Sequence, residues 1–357
     1  MTSPPRELHP RHGIHEPTRG SPARSPGSIR RTTTIDMLRP AGSDGPLVLA
    51  GRGRDLRTAA DGTVSVVAEA ACHAVVDFAG AWALEELTTE PFRPGLAALI
   101  GTRTSSGFRA RLNECDPSLT AEHDLLHLLL DDFPVVTLVS GQAVNADRTD
   151  PVGSGGRSAF RENQCAGFAT GGTIMVELRR GRKPPVVTGP EALPLTVAND
   201  PLAWHDTAEL PPGAMRRARR TDVRTGRGAT VDGLFRDSYV LPDGTETVIH
   251  EYLLSAVIDT SAATVVSCEA APRVLPWVEC PAAAASAGGL AGQPLSGLRR
   301  HVRENFGGTS TCTHLNDMLR GLADVPALLS ALVTDGAASR VTDDTTGGRD
   351  SVCTIRN

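Results

Sequence analysis

The spacing of apolar residues in the second half of the chain predicts strands followed by helices. The segments TETVIHEYLLSAVID and TVVSCEA, joined by the turn TSAA, are rich in β-branched and other apolar residues and predict a β-hairpin. Two helical stretches follow it, around 282–304 and 312–333. The second stretch has one apolar face at helical spacing, formed by Leu315, Met318, Leu319 and Leu322.

The first half of the chain repeats the same segments in the same order. The matches are RRTTTIDM (30–37) with RRARRTDV (216–223), LAGRGRD (49–55) with VDGLFRD (231–237), AVVDF (74–78) with AVIDT (256–260), and SGFR (106–109) with SGLR (296–299). Farther on, His123 and Pro134 fall near the positions of His314 and Pro326. A fixed order of matches predicts an internal duplication.

This pattern predicts an α+β fold of two tandem related units. Each unit has an antiparallel sheet or hairpin with helices packed on one face, because strands precede helices in each copy. The apolar sheet face needs a partner, so we expect the two units to pack against each other in a pseudo-twofold arrangement. The predicted divisions are a disordered arm (1–29), a first, degenerate repeat (30–140), a Gly/Pro-rich connector (141–213), a second repeat that carries the candidate site (214–335) and a flexible tail (336–357).

Composition narrows the classes of protein that remain. The 357-residue chain is 40% apolar and 22% charged, which is typical of a soluble globular protein of about two domains. Its net charge of −5 argues against a nucleic-acid or membrane-surface partner, and no apolar run is long enough to predict a membrane span. Seven scattered cysteines, an odd number, favour reduced thiols and a cytoplasmic location.

Five short motifs give the second half a likeness to a known family. They are RRTD (219–222), FRD (235–237), HEY (250–252), LPWVECP (275–281) and TCTHLND (311–317). In these motifs the chain resembles the bacterial family of domain of unknown function 2889, over about residues 214–330. The first half resembles the same family only faintly. The resemblance implies a shared fold and a shared site in the second half, and it implies no particular reaction.

Differences between the two copies point to a site in the second one. Residues kept in both, such as Asp55 and Asp237 with the arginine before each, are explained as residues that form or flank an ion pair at a strand end. Three reactive residues occur only in the second copy: His250 aligns with Ala68, Cys280 with Glu90, and Cys312 with Ala121. His314 retains a counterpart in His123. Reactive groups present in one copy only are typical of a duplicated enzyme with one inactive half, and divergence of the two copies alone also produces such a difference.

Two chemistries fit these residues. Ser310 or Thr311 can cap the last helix and leave Cys312 in its first turn, where free N–H groups lower the pKa of a thiol. His314 would then face another side of the helix, so that His250 is the better candidate base. Alternatively Cys280, Cys312, His314 and His250 supply four ligands of the kind that tetrahedral zinc takes.

Other signals are weaker. His123 and His127 have helical spacing but lie among leucines, which indicates a helix face rather than a metal pair. Cys165 lies in a Gly-rich segment that could approach a ligand or bury a thiol, and His205 is expected at the surface. The chain has neither a dinucleotide-binding nor a P-loop motif.

The sequence thus predicts a soluble bacterial enzyme that acts on a small organic molecule in a catabolic or specialised pathway. Cys312 would be the nucleophile or a metal ligand, His250 and His314 would transfer protons, and Cys280 would support them. Lyase, isomerase and hydrolase chemistry stay open. The alternative is a non-catalytic metal-binding or ligand-binding module that uses the same residues as ligands.

Overall fold

The protein is built around one antiparallel sheet. The computed structural model describes residues 11–147, 162–182, 185–187 and 189–333. The strands are β1 (Ser28–Leu38), β2 (Leu47–Thr58), β3 (Val64–Val76), β4 (Leu84–Glu90), β5 (Met215–Thr225), β6 (Ala229–Val240), β7 (Glu246–Asp259) and β8 (Thr264–Val274). All neighbours are antiparallel, in the order β4-β3-β2-β1-β5-β6-β7-β8. This eight-stranded sheet with its helices confirms the predicted α+β class.

The α-helices are short. They are α1 (Phe108–Cys115), α2 (Pro117–Ala121), α3 (Leu125–Asp131), α4 (Phe133–Val139), α5 (Gly141–Asp147), α6 (Thr173–Arg179), α7 (Leu298–Asn305), α8 (Thr313–Gly321) and α9 (Val325–Val333). The helix predicted over 282–304 is instead a 3₁₀ helix (Cys280–Leu290) and α7. Gly292, in the left-handed region at φ 79°, and the following Pro294 separate these two elements.

The two halves of the chain meet at the centre of the sheet, where β1 pairs with β5. We expected the two sheets to pack by their apolar faces, and they are joined edge to edge instead. Two reciprocal ion pairs hold the junction: Arg30 binds Asp222 and Arg216 binds Asp36, each with an Nε–Oδ1 distance of 2.6 Å. Edge pairing satisfies the backbone hydrogen bonds of both strands, which leaves the apolar faces for the helices.

Alternate residues of β1 show how the sheet is covered. Ile29 and Ile35, which point to the same side, belong to two apolar clusters beneath the helices. On the opposite side, Thr32 and Thr34 contact the buried His205, which follows Trp204 in a long irregular segment. The central strands are therefore buried on both faces, and His205 is not at the surface as the sequence suggested.

The segment before β1 lies against the sheet where the structure describes it. We predicted a disordered arm over 1–29, but Glu16 N–H donates to the carbonyl of Arg273 and Arg24 forms an ion pair with Asp200. Residues 1–10 of that predicted arm and the whole predicted tail, 336–357, lie outside the described residues. Within the described part of the chain, no helix has the length and apolar character needed to cross a membrane.

A glycine fixes the segment that packs on β7. A β-carbon on Gly189 would lie 1.8 Å from the carbonyl oxygen of Val248, a backbone atom of β7. We expect Gly189→Ala to lower the free energy of unfolding by about 1–3 kcal/mol, as overpacking does in other proteins. Urea denaturation followed by circular dichroism measures this change.

Gly321→Ala is the matched control for that experiment. Gly321 has helical φ and ψ angles of −63° and −20°, and nothing lies within 4 Å of the position of its β-carbon. This substitution should leave the free energy of unfolding unchanged or raise it by about 0.4–1 kcal/mol. Equal stability of the two variants would contradict the role of Gly189.

Candidate functional site

The sheet places Asp237 and His250 opposite each other. Asp237 lies on β6, and His250 is its cross-strand partner on β7. The register shifts by one residue directly after Asp237. Such a bulge redirects side chains, and it brings His250 rather than Ile249 opposite Asp237. His314 reaches the same place from the first turn of α8.

The imidazoles of His250 and His314 converge on one oxygen of Asp237. The Nδ1 of His250 lies 3.5 Å from Oδ2 of Asp237, and the Nε2 of His314 lies 3.6 Å from it. The rings are stacked, with centroids 3.8 Å apart and planes at 22°. Both nitrogens are buried and have no hydrogen-bond partner within the described part of the chain. Asp237, His250 and His314 each offer one atom that can bind a metal ion, and these three atoms lie within 4.8 Å of one another.

Arg217 fixes the carboxylate of Asp237. Its Nε lies 2.9 Å from Oδ1 and its Nη2 lies 3.1 Å from Oδ2, and both side chains are fully buried. Burial alone would raise the pKa of Asp237, but the Arg217 guanidinium, together with His250 and His314, outweighs burial and holds this pKa well below its usual range. Arg236, the residue before Asp237, does not pair with it but binds Glu251 at 2.5 Å.

Cys312 contacts the other nitrogen of the His314 ring. Its Sγ lies 3.7 Å from Nδ1 of His314. We expected the two side chains to face different sides of a helix, which is wrong because Cys312 is not in the helix. It is the extended N-cap residue, with φ −129° and ψ 128°, and Thr311 turns back to the carbonyl of Gly308. An extended residue before a helix can approach the first turn directly.

The predicted lowering of the thiol pKa is also corrected. Burial raises the pKa of Cys312 to about 11, against the opposing effect of the N–H groups of Leu315 and His314. Burial likewise raises the pKa of Cys280 well above its usual value and raises that of Cys165. The helix terminus does favour a thiolate, but desolvation of the charged form is the larger effect here. The thiols of this region are therefore neutral near pH 7.

The predicted set of four zinc ligands is brought together only in part. His250 and His314 meet, but the third group beside them is the carboxylate of Asp237 and not a sulfur. Cys312 lies on the Nδ1 side of the His314 ring, away from Nε2. Cys280 packs against Gly167, in the segment that follows Cys165, and is not part of the group formed by Asp237, His250 and His314.

Comparison with known proteins concerns this half of the chain. Residues 215–328 match the model of a family described as protein of unknown function (DUF2889). The second part of the chain is a DUF2889 segment. The match confirms the resemblance drawn from the sequence motifs, and the segment contains every residue of the candidate site. No curated protein and no solved structure matches the chain.

His123 and His127, which lie outside the DUF2889 segment, are explained by their contacts and burial rather than by metal binding. His123 precedes α3 in a left-handed turn, with φ 54°, and its Nδ1 lies 3.1 Å from Oδ1 of Asp324. His127 lies within α3, and burial lowers its pKa to about 4. The two side chains therefore do not form a metal pair on one helix.

Sequence reasoning assigned Asp237 to structure alone, although it is the centre of the site. Its counterpart Asp55 is bound by Arg31 in the same way, with Nε–Oδ1 2.8 Å and Nη2–Oδ2 2.7 Å. Comparison of the copies therefore gave no reason to separate Asp237 from Asp55. The difference lies in the cross-strand partner, which is Ala68 in the first half and His250 in the DUF2889 segment.

Proposed function

We propose that this protein is an enzyme that acts on a small organic molecule at a divalent transition-metal ion held by Asp237, His250 and His314. The observation that carries the proposal is the pair of unpartnered, buried ring nitrogens directed at one carboxylate oxygen. Buried polar atoms normally have a hydrogen-bond partner or a metal ion beside them. Two buried nitrogens without a partner at one position therefore indicate a bound group that contacts both. A metal ion is the partner that a neutral imidazole nitrogen and a carboxylate can share.

The distances support a metal ion better than direct hydrogen bonds. The nitrogen–oxygen separations of 3.5 and 3.6 Å exceed the usual range of about 2.7–3.2 Å for an N–H···O hydrogen bond. Ligands at about 2.0–2.1 Å from a tetrahedral ion lie about 3.3 Å apart.

Groups around the three ligands have the roles expected of a supporting layer. Arg217 orients Asp237 through two hydrogen bonds, and the sulfur of Cys312 contacts Nδ1 of His314 while Nε2 faces the proposed ion. Ligand histidines are commonly fixed through their second ring nitrogen in this way. Cys312 is thus a positioning residue in this proposal rather than a nucleophile.

Three protein ligands favour catalysis over a purely structural ion. Structural zinc is normally closed by four protein ligands, whereas catalytic sites keep a position for water or substrate. An ion in such a site polarises a substrate oxygen or activates a bound water, which serves hydrolase, lyase and isomerase reactions alike. The rival function, a non-catalytic metal-binding module, uses the same residues but has no exchangeable position.

Metal analysis tests the proposal. Protein purified without an affinity tag, and loaded separately with Zn²⁺, Co²⁺ or anaerobic Fe²⁺, is expected to retain about one ion per chain after gel filtration. With Co²⁺ bound, added azide should change the visible absorption if a coordination position is open. An unchanged spectrum supports the non-catalytic module, and retention of none of the three ions contradicts both functions.

We also propose that the two halves arose by duplication and are related by a pseudo-twofold axis between β1 and β5. Going outward from the β1–β5 pair, the strands follow chain order on both sides, as β1-β2-β3-β4 and β5-β6-β7-β8. The ion pairs Arg30–Asp222 and Arg216–Asp36 are reciprocal between β1 and β5. A register shift follows Asp55 directly, as one follows Asp237. On this reading, the second half keeps the metal ligands and the first half has lost one of them at Ala68.

A further inference from the structure

A cleft in the first half lies where the proposed duplication would put a second copy of the site. Its volume is about 320 Å³, within the range of about 300–1,000 Å³ that is typical of small-molecule sites. Asp55, Ala68 and His123 line it, and Leu328 of α9 closes it from the second half. Asp55, Ala68 and His123 are the residues that the sequence comparison matched with Asp237, His250 and His314. All three are therefore part of the lining of an open cleft.

Within the cleft, the methyl group of Ala68 stands beside Asp55 at the position where the second half has an imidazole. Ala68 is the cross-strand partner of Asp55, as His250 is of Asp237. The space beside the carboxylate is therefore filled by protein in one half and open in the other. His123 does not close it, since its ring is turned toward Asp324.

The charges of the lining favour a cation. Four lining residues are carboxylates, Asp55, Glu69, Glu122 and Asp124, and one is a guanidinium, Arg31. Asp124 is paired with Arg93 at 2.9 Å. Arg31 is already neutralised, because it binds Asp55 at 2.7 Å and Asp324 at 3.2 Å. Glu122 is exposed and forms no ion pair with any residue that the structure describes.

We propose that this cleft binds a small organic cation. Its ammonium or amidinium nitrogen would lie beside Asp55, in the place that the His250 imidazole takes in the second half, and its apolar part would contact Leu125 and Leu328. A carboxylate keeps acceptor capacity after binding one arginine, so Asp55 can receive a further N–H donor. The inference rests on the proposed correspondence of the two halves and is independent of a metal ion.

Binding of three probes with one carbon skeleton tests the inference. Benzylamine, benzyl alcohol and benzoate are titrated into the EDTA-treated full-length chain at low ionic strength and followed by isothermal calorimetry or ligand-observed NMR. We expect benzylamine to bind, benzyl alcohol to bind more weakly and benzoate not to bind. Binding of benzoate as tight as that of benzylamine, or no binding of benzylamine, overturns the proposal. Because the ion has been removed, neither result depends on the metal centre.

Variants locate the probe. Ala68→Phe should abolish benzylamine binding by filling the cleft, and Glu122→Gln should weaken it by about 3- to 10-fold, the effect of one partly screened charge. Glu122 is exposed, so its variant keeps the test valid if Ala68→Phe fails to fold. Glu86→Gln is the matched control, because Glu86 is an exposed glutamate of β4 that does not line the cleft. Its effect should be less than about 2-fold, and an equal effect of Glu86→Gln and Glu122→Gln contradicts the location.

Discussion

Replacing His250 by alanine is expected to abolish stoichiometric metal binding. The variant leaves Asp237 and His314 as ligands, and the affinity should fall by more than about 100-fold, because loss of a mere supporting group already costs 10- to 100-fold. The fold should tolerate the change, since Ala68 holds the same cross-strand position in the first half. Metal content after gel filtration is the measurement, with circular dichroism as the check on folding.

Cys312→Ala is the matched control, and it separates two sets of ligands. If Asp237, His250 and His314 hold the ion, the Cys312 variant keeps it, with an affinity reduced by no more than about 10- to 100-fold. If sulfur is a ligand, as one of the two hypotheses drawn from the sequence states, this variant loses the ion outright. Loss of metal from Cys312→Ala combined with retention in His250→Ala would therefore refute the proposed centre.

The strand that carries His250 could be predicted from the sequence, as the first strand of the β7–β8 hairpin, but its register with β6 could not. Pairing counted back from the turn at Asp243 and Gly244 sets Ser238 against Val248, and the same count sets Asp237 against Ile249. The bulge after Asp237 shifts the pairing by one residue and brings His250 there instead. A shift of one residue exchanges the two faces of a strand, so the site depends on a feature without a sequence signal.

The first residue of α8 could not be predicted either, and it decides the position of Cys312. The motif predicts a helix near the right place, yet a helix that begins at Thr313 rather than one residue earlier makes Cys312 the N-cap. That difference decides whether the sulfur contacts His314. The burial of Cys312 could not be predicted either. Its position at the start of a helix lowers the thiol pKa, and only the packing around the sulfur shows that desolvation raises this pKa by more.

Buried ion pairs connect the site to the rest of the fold. Arg217, which orients Asp237, also lies 3.2 Å from Asp317 of α8, the helix that carries His314. In the first half Arg31 binds Asp55 and reaches Asp324 in the same manner. Each of these arginines thus holds a strand and a following helical segment in one arrangement, and Arg31 does so across the two halves. The geometry of the site is therefore coupled to the stability of the whole sheet.

Asp324→Asn tests that coupling and should be strongly destabilising. The carboxylate of Asp324 is buried and lies 2.6 Å from Arg299, 3.2 Å from Arg31 and 3.1 Å from His123. An amide of the same shape leaves two guanidiniums without this countercharge, so the free energy of unfolding at pH 7 should fall by about 3–5 kcal/mol. Urea denaturation of the variant and the parent gives the difference.

The pH dependence of that difference has a definite sign. Burial would raise the pKa of Asp324, but Arg299, with His123 and Arg31, outweighs burial and holds it well below the usual range. A carboxyl with a lowered pKa in the folded state stabilises the protein above its unfolded value of about 3.9, and this contribution is lost as the pH falls below about 5. The parent should therefore approach the variant in stability on acidification.

Glu304→Gln is the control: its ion pair with Arg303 is 3.1 Å long, and the two side chains are 54% and 64% exposed. It should change stability by less than about 1 kcal/mol, and an Asp324 variant that behaves like this control would show that the buried pairs do not hold the halves together.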